Sequence, residues 1–220
     1  MVRICVSVAV RTTDAAIETI RGLAKPDMVE LRLDYAEERL HLDRLRESTS
    51  TLLVATARLP SQGGRWAGSE GERQRLLLSA AKAGFDYVDL EDDSNQIETL
   101  VEKLHASHAR VVVSHHLLDR TPHLEEILEM HGVAEEAGAD VVKIIGTASC
   151  PADNLPCLSY LAQKPGNVSF AMGSPGVPSR VLSPLMGGAW TYASAGEVVA
   201  PGQMTLESMR EAYHLMGVES

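Results

Sequence analysis

A lysine stands in the middle of an apolar run. In "GADVVKII", positions 138–145, Lys143 sits among Val141, Val142, Ile144 and Ile145, with Gly138 and Gly146 at the ends. A β-branched run too short for a helix reads as a fully buried strand of a parallel sheet. An uncompensated ammonium is expensive to bury, so Lys143 must be paired, partly neutral, or facing a polar cavity. Desolvation and neighbouring cations favour the neutral, nucleophilic form of an amine, which can attack a ketone or aldehyde and form a Schiff base. A histidine on a neighbouring strand could move the protons that such chemistry requires, and "VVVSHH" supplies His115 and His116.

Other chemistry-bearing residues fall at the ends of strand-like runs. They are Glu30 and Arg32 in "MVELRL", Arg58 just after "TLLVAT", Ser114 before the two histidines, Met172 and Gly173 after "VSFAM", and Gln203 near the chain's last strand. Each also has a plain structural reading, since arginines commonly serve in surface ion pairs and a strand-end histidine can simply pack. A lysine in a buried strand is harder to explain that way.

The elements that must position these residues alternate. Strand-like runs occur at 3–10, 28–33, 51–56, 87–90, 110–115, 140–145, 168–172 and 189–193. Between them lie amphipathic stretches such as "TDAAIETIRGLA", "GERQRLLLSAAKAG" and "TPHLEEILEMHGVAEEAG", with weaker helical signals near 39–47 and 178–186. Eight strand-helix units imply a closed (β/α)8 TIM barrel in one compact domain, 1–220. A doubly wound open sheet is the alternative, but neither GxGxxG after the first strand nor a Walker A sequence is present. In a barrel, the residues named above gather at the carboxyl ends of the strands, where active sites lie.

Composition narrows the function. With 20 Lys and Arg against 30 Asp and Glu, the net charge of -10 argues against general affinity for nucleic acid or an anionic membrane. Cys5, Cys150 and Cys157 lack metal-ligand spacing and are odd in number, which implies reduced thiols in a cytoplasmic protein and no disulfide framework; no metal site is visible, and no cofactor is expected. The apolar start "VRICVSVAV" is too short for a signal peptide and contains Arg3. No run of about 18 apolar residues occurs to suggest a membrane span.

Taken together, the segments resemble the type I 3-dehydroquinate dehydratases along almost the whole chain. "ICVSVA" resembles the family's first strand, "VELRLD" its Glu-x-Arg-x-Asp strand, and "TARLPSQGGRW" its Arg-x-x-x-Glu-Gly-Gly segment. "VDLEDD", "VVVSHH" with its downstream "DRTP", "GADVVKII", "MGSPGVPSR" and "APGQ" follow in the family's order. The resemblance implies dehydration of 3-dehydroquinate to 3-dehydroshikimate, a step toward aromatic amino acids. Lys143 would form a Schiff base with the C3 ketone, and His116 would take the C2 proton and protonate the departing C1 hydroxyl. Arg180 would hold the C1 carboxylate with help from Gln203. Glu30, Arg32 and Arg58 would hold ring hydroxyls and order the pocket, Ser7 would line its floor, and Met172 would pack on the ring or the lysine stem. A homodimer is also implied.

Several positions depart from the family pattern. Gln62 in "SQGG" stands where Glu is usual, so a group that can hydrogen-bond but cannot compensate an imidazolium replaces a carboxylate. Leu117 and Leu118 follow the histidine in place of a polar residue and an aromatic, and His115 takes a bulky position. In the last segments Tyr192 replaces a common phenylalanine, while Val199, beside Ala200, replaces a common serine. Two other functions fit parts of the pattern. One is a class I aldolase, whose phosphorylated substrate "GSPGVPSR" could hold. The other is a non-catalytic metabolite-binding relative, suggested by Gln62 and Leu117.

Overall fold

A computed structural model describes residues 2–219. Eight strands follow one another as β1 Ile4–Ala9, β2 Met28–Arg32, β3 Leu52–Thr56, β4 Tyr87–Glu91, β5 Arg110–His116, β6 Val141–Thr147, β7 Val168–Met172 and β8 Thr191–Ser194. The helices between and after them are α1 Thr13–Gly22, α2 Leu42–Glu47, α3 Glu70–Lys82, α4 Ile97–His105, α5 Leu124–Glu136, α6 Leu155–Gln163, α7 Val177–Leu182 and α8 Leu206–Leu215. Each sequence-expected strand is present, with no end shifted by more than two residues. The weak helical signals at 39–47 and 178–186 correspond to the short α2 and α7, the latter followed by a 3-10 turn, Ser183–Met186.

All the strand pairs are parallel, in the order β7-β6-β5-β4-β3-β2-β1-β8. The sheet curls into a nearly closed (β/α)8 barrel. At the seam between β7 and β8, loop contacts replace a ladder: the Ala189 N–H donates to the Asn167 carbonyl and the Gly166 N–H to the Gly187 carbonyl, each at 2.8 Å. Higher up, α7 covers the seam through Thr191, whose hydroxyl donates to the Arg180 carbonyl at 2.6 Å.

Side chains alternate between the two faces of each strand, and this divides the core in two. Outward residues such as Val8, Val29, Leu31, Leu53, Val88, Val111, Val113, Val142 and Ile144 pack with Leu45, Leu77, Leu100, Ile127 and Leu161 from the helices. Inward residues fill the barrel: Cys5, Met28, Val54, Tyr87, Val112, Val141, Val168 and Trp190 form an apolar plug. Continuing up the same inward rows, the residues change from apolar to charged, and that change places a polar chamber at the carboxyl ends. Local signals set several helix starts. Ser69 and Glu72 form a reciprocal capping box at α3, and the Thr12 side chain caps α1 by accepting from the Ala15 N–H.

Candidate active site

The inward positions of β1 to β6 carry Ser7, Glu30 and Arg32, Thr56, Asp89 and Glu91, Ser114 and His116, and Lys143, with Arg58 just past β3. All but the half-buried His116 are buried. All of them except Arg32 and His116 form one connected network of ion pairs and hydrogen bonds. Lys143 Nζ lies 3.0 Å from Asp89 Oδ2 and 3.4 Å from Glu30 Oε1, and 4.4 Å from the centre of the Tyr192 ring. Asp89 Oδ1 accepts from Arg58 at 2.8 Å and from the Ser114 hydroxyl at 2.6 Å. Glu91 joins Arg58 at 3.5 Å to the wholly buried Arg73 of α3 at 2.6 Å. Burial raises the Asp89 carboxyl, but Arg58 and Lys143 outweigh it and hold its pKa below the usual value. Lys143 is therefore paired and also faces a cavity, so two of the three ways of accommodating a buried amine operate together.

That cavity opens to solvent at the carboxyl ends of the strands, and its empty space together with its open mouth comes to about 390 Å³. Its lining includes the expected Ser7, Glu30, Arg32, Arg58, His116 and Lys143, and likewise Met172, Arg180, Tyr192, Val199, Ala200 and Gln203. Ser7 donates to Glu30 at 2.7 Å and accepts from the Gln203 side-chain amide at 3.2 Å, tying the floor to the last loop. Gln203 Oε1 in turn accepts from the Val199 N–H at 3.0 Å. The segments that follow β7 and β8 meet here, where the Pro201 carbonyl accepts from the Gly173 N–H at 3.2 Å and from Arg180 at 3.3 Å.

The arginines differ in how fully they are already engaged. Arg32 grips Asp34 through two bonds of 2.8 and 2.7 Å, and Arg58 is held by Asp89, Glu91 and Ser114. Arg180 has no carboxylate partner among the described residues. Its contacts are the carbonyls of Tyr192 at 3.5 Å and Pro201 at 3.3 Å, with its planar face 4.2 Å from the Phe170 ring centre. Its Nε is buried without a partner, and burial pushes its pKa down to about 10. A buried guanidinium without an anion, opening on a cavity, has the geometry and charge to take a carboxylate.

His116 ends β5 on the inward side, while His115, one residue earlier, faces outward and pairs with Asp92 through Nδ1 at 2.6 Å. The period of two along a strand separates the roles of the adjacent histidines. Desolvation first, then Arg58, Lys143 and Arg32, hold the His116 pKa well below 6.5, so the imidazole is neutral near pH 7. For His115 the Asp92 hydrogen bond raises the pKa.

Gln62 does not line the cavity but stands behind His116. It ends a 3-10 turn, Pro60–Gln62, that Gly63 leaves with φ of 79°. A Cβ on Gly64 would come within 2.0 Å of the Arg58 carbonyl oxygen, so the double glycine lets the turn fold back and deliver Gln62 to β5. There Gln62 Oε1 accepts from the His116 backbone N–H at 3.0 Å and lies 3.3 Å from its Nδ1. Of the two unusual leucines, Leu117 is buried and Leu118 lies beside this turn, where a Cβ on Gly63 would be 3.3 Å from it.

Asp89, Glu91 and Asp92 were not singled out from the sequence. A signal for the first two was present, because "VDLED" puts two carboxylates two apart on one face of a buried strand. In the "GSPGVPSR" loop protein acceptors take several of the amides that an outside phosphate would need. The Gly176 N–H donates to Gly173, that of Val177 to Ser174 and that of Ser179 to Asn154, and Pro178 has none. Among the described residues no cluster of His, Cys, Asp and Glu could hold a metal ion, and no helix is long and apolar enough to cross a membrane.

The sequence profile of the family described as Type I 3-dehydroquinase matches residues 4–220. The 3-dehydroquinate dehydratase of Desulfotalea psychrophila is 36% identical over 218 residues, which covers 94% of this chain and 95% of that protein. The 3-dehydroquinate dehydratase of Methanothermobacter thermautotrophicus is 34% identical over 95% of each chain. Among solved structures, that of 3-dehydroquinate dehydratase from Geobacillus kaustophilus superposes with a TM-score of 0.89 at 25% identity, covering 99% of this chain and 91% of that one.

Proposed function

Since this chain belongs to the type I 3-dehydroquinase family, we propose that it dehydrates 3-dehydroquinate to 3-dehydroshikimate through a Schiff base on Lys143. The whole chain, 1–220, then acts as one catalytic domain. The observation that supports this reading best is the meeting of three groups on one cavity: the amine of Lys143, the neutral imidazole of His116 and the unpaired guanidinium of Arg180.

Lys143 adds to the C3 ketone and water leaves, so a C=N bond replaces C=O and the nitrogen carries a positive charge. Glu30 and Asp89 flank that nitrogen before and after condensation, so the cationic iminium inherits the compensation already built for an ammonium. The iminium draws electron density from C2, and His116 accepts the C2 proton. The C2 electrons flow through the resulting enamine and expel the C1 hydroxyl, which leaves as water with the proton His116 returns. Hydrolysis of the imine releases the enone product and restores the lysine. Arg180 holds the C1 carboxylate with Gln203 beside it, while Glu30, Arg32 and Arg58 order the hydroxyl-bearing side. Ser7 sets the floor, and Met172 and Tyr192 wall the ring.

Borohydride reduction in the presence of 3-dehydroquinate tests the reading, because it converts an iminium into a stable secondary amine. Intact mass followed by peptide mapping is expected to place the adduct on Lys143 alone, and Lys143→Ala to abolish it. An adduct on Lys82 or Lys164, or turnover that leaves no trapped species, would count against it. The proposal includes a cytoplasmic setting, consistent with three unpaired cysteines, and a homodimer. Sedimentation showing a monomer at assay concentration would remove the dimer.

A further inference from the structure

The geometry points to Asp92 as a positioning residue that sets the tautomer of the catalytic imidazole through Gln62. This rests on the reading of His116 as the base. Asp92 follows β4, and its carboxylate reaches in two directions: Oδ2 lies 2.6 Å from His115 Nδ1, and Oδ1 accepts a long hydrogen bond of 3.5 Å from Gln62 Nε2. Gln62 is buried, and its other end meets His116.

An amide has two unlike ends and nearly the same shape when flipped, so only its neighbours decide its orientation. Here both neighbours decide alike. The backbone N–H of His116 can only donate, and the carboxylate of Asp92 can only accept. A half-turn of the Gln62 amide would set donor against donor at β5 and acceptor against acceptor at Asp92. In the selected orientation the carbonyl Oε1 also lies 3.3 Å from His116 Nδ1. A carbonyl cannot donate, so Nδ1 carries the hydrogen and Nε2 keeps the lone pair. The opposite amide orientation would favour hydrogen on Nε2, leaving that nitrogen unable to accept a proton.

His115 anchors the far side. It projects outward from β5 while His116 projects inward, so one carboxylate joins both faces of the strand. The charged groups acting on His116 are Arg58 after β3, Lys143 of β6, Arg32 of β2 and His115 of β5 itself. Those acting on His115 are Asp92, Asp93 and Glu126 of α5.

The test combines NMR of the resting enzyme with kinetics. Nitrogen-15 chemical shifts and ring-proton couplings of labelled histidine are expected to show His116 in the wild type with hydrogen on Nδ1, and to show a mixture of tautomers in Asp92→Asn. Asparagine keeps the size of the side chain but offers both a donor and an acceptor to Gln62. With 3-dehydroquinate, Asp92→Asn should lose about tenfold in kcat, the scale of one misdirected hydrogen bond, with KM changed less than about twofold. Asp92→Glu should recover part of kcat. Asp92→Ser, judged on the same criteria, serves should the asparagine variant not fold. Hydrogen on Nε2 in the wild type, or an unmixed tautomer with wild-type kcat in the variants, overturns the proposal. A wild-type protein that shows the expected tautomer but neither turns over 3-dehydroquinate nor traps it on Lys143 removes the functional reading instead.

Discussion

Asp89 gives one oxygen to Lys143 at 3.0 Å and the other to Arg58 at 2.8 Å, so a single buried carboxylate carries the charge balance of the amine and of the arginine beside it. Removing one partner from such a group leaves uncompensated charge in low dielectric, at a cost of about 3–5 kcal/mol. Asp89→Asn is therefore expected to lower Tm by roughly 6–20 °C for a chain of this size, and also to slow borohydride trapping. Calorimetry and trapping rates check both. A variant as stable as the wild type would show that Glu30 and Glu91 suffice.

The two histidines should separate sharply. His116→Ala is expected to lose a factor on the order of 10² or more in kcat, as for removal of a general base, while still binding 3-dehydroquinate. His115→Ala should lose much less, because its ring faces away from the cavity and pairs with Asp92. Steady-state kinetics on the two variants decide this. Equal losses would mean that the outward ring matters as much as the inward one.

The pH dependence follows from the environment of His116. A base must be neutral to accept a proton, so activity falls as pH drops through its pKa. Burial and three cations hold that pKa well below 6.5, and the acidic limb of kcat/KM should lie below the ordinary histidine range. Gln62→Glu would place a carboxylate where Oε1 now lies 3.3 Å from Nδ1, stabilise the protonated ring, and move that limb upward. The same change sets a second carboxylate beside Asp92, so some loss of stability should accompany it. A limb that stays in place or moves down would show no electrostatic coupling between residue 62 and the base.

Arg180 should trade stability for function. Its guanidinium is buried without an anion, so Arg180→Met removes a desolvation cost and is expected to leave Tm unchanged or raise it. Without the fork for a carboxylate, kcat/KM should drop by roughly 10²–10³, the worth of two charge-assisted hydrogen bonds. Thermal melts and kinetics together test this. A lower Tm with unaltered kcat/KM would assign Arg180 a purely structural part.

The amino-acid sequence by itself determined the barrel, because eight short β-branched runs alternate with amphipathic stretches and each element's periodicity is a local property. It also marked Lys143, since a charge in an apolar strand conflicts with its surroundings whatever the fold. It pointed to His116 through the spacing of a motif. What only the tertiary structure decided is which charges meet. Asp89 and Glu30 reach Lys143 across 54 and 113 residues of chain, and Gln62 reaches His116 across 54. Pairings of that range depend on the stagger between parallel strands, which is encoded near neither partner, and on a turn whose Gly63 and Gly64 adjoin Gln62 but carry no mark of the distant strand it meets. The same holds for Arg180. Nothing in "GVPSR" says that its guanidinium will be the buried one left without a carboxylate, because that follows from where α7 crosses the seam between β7 and β8.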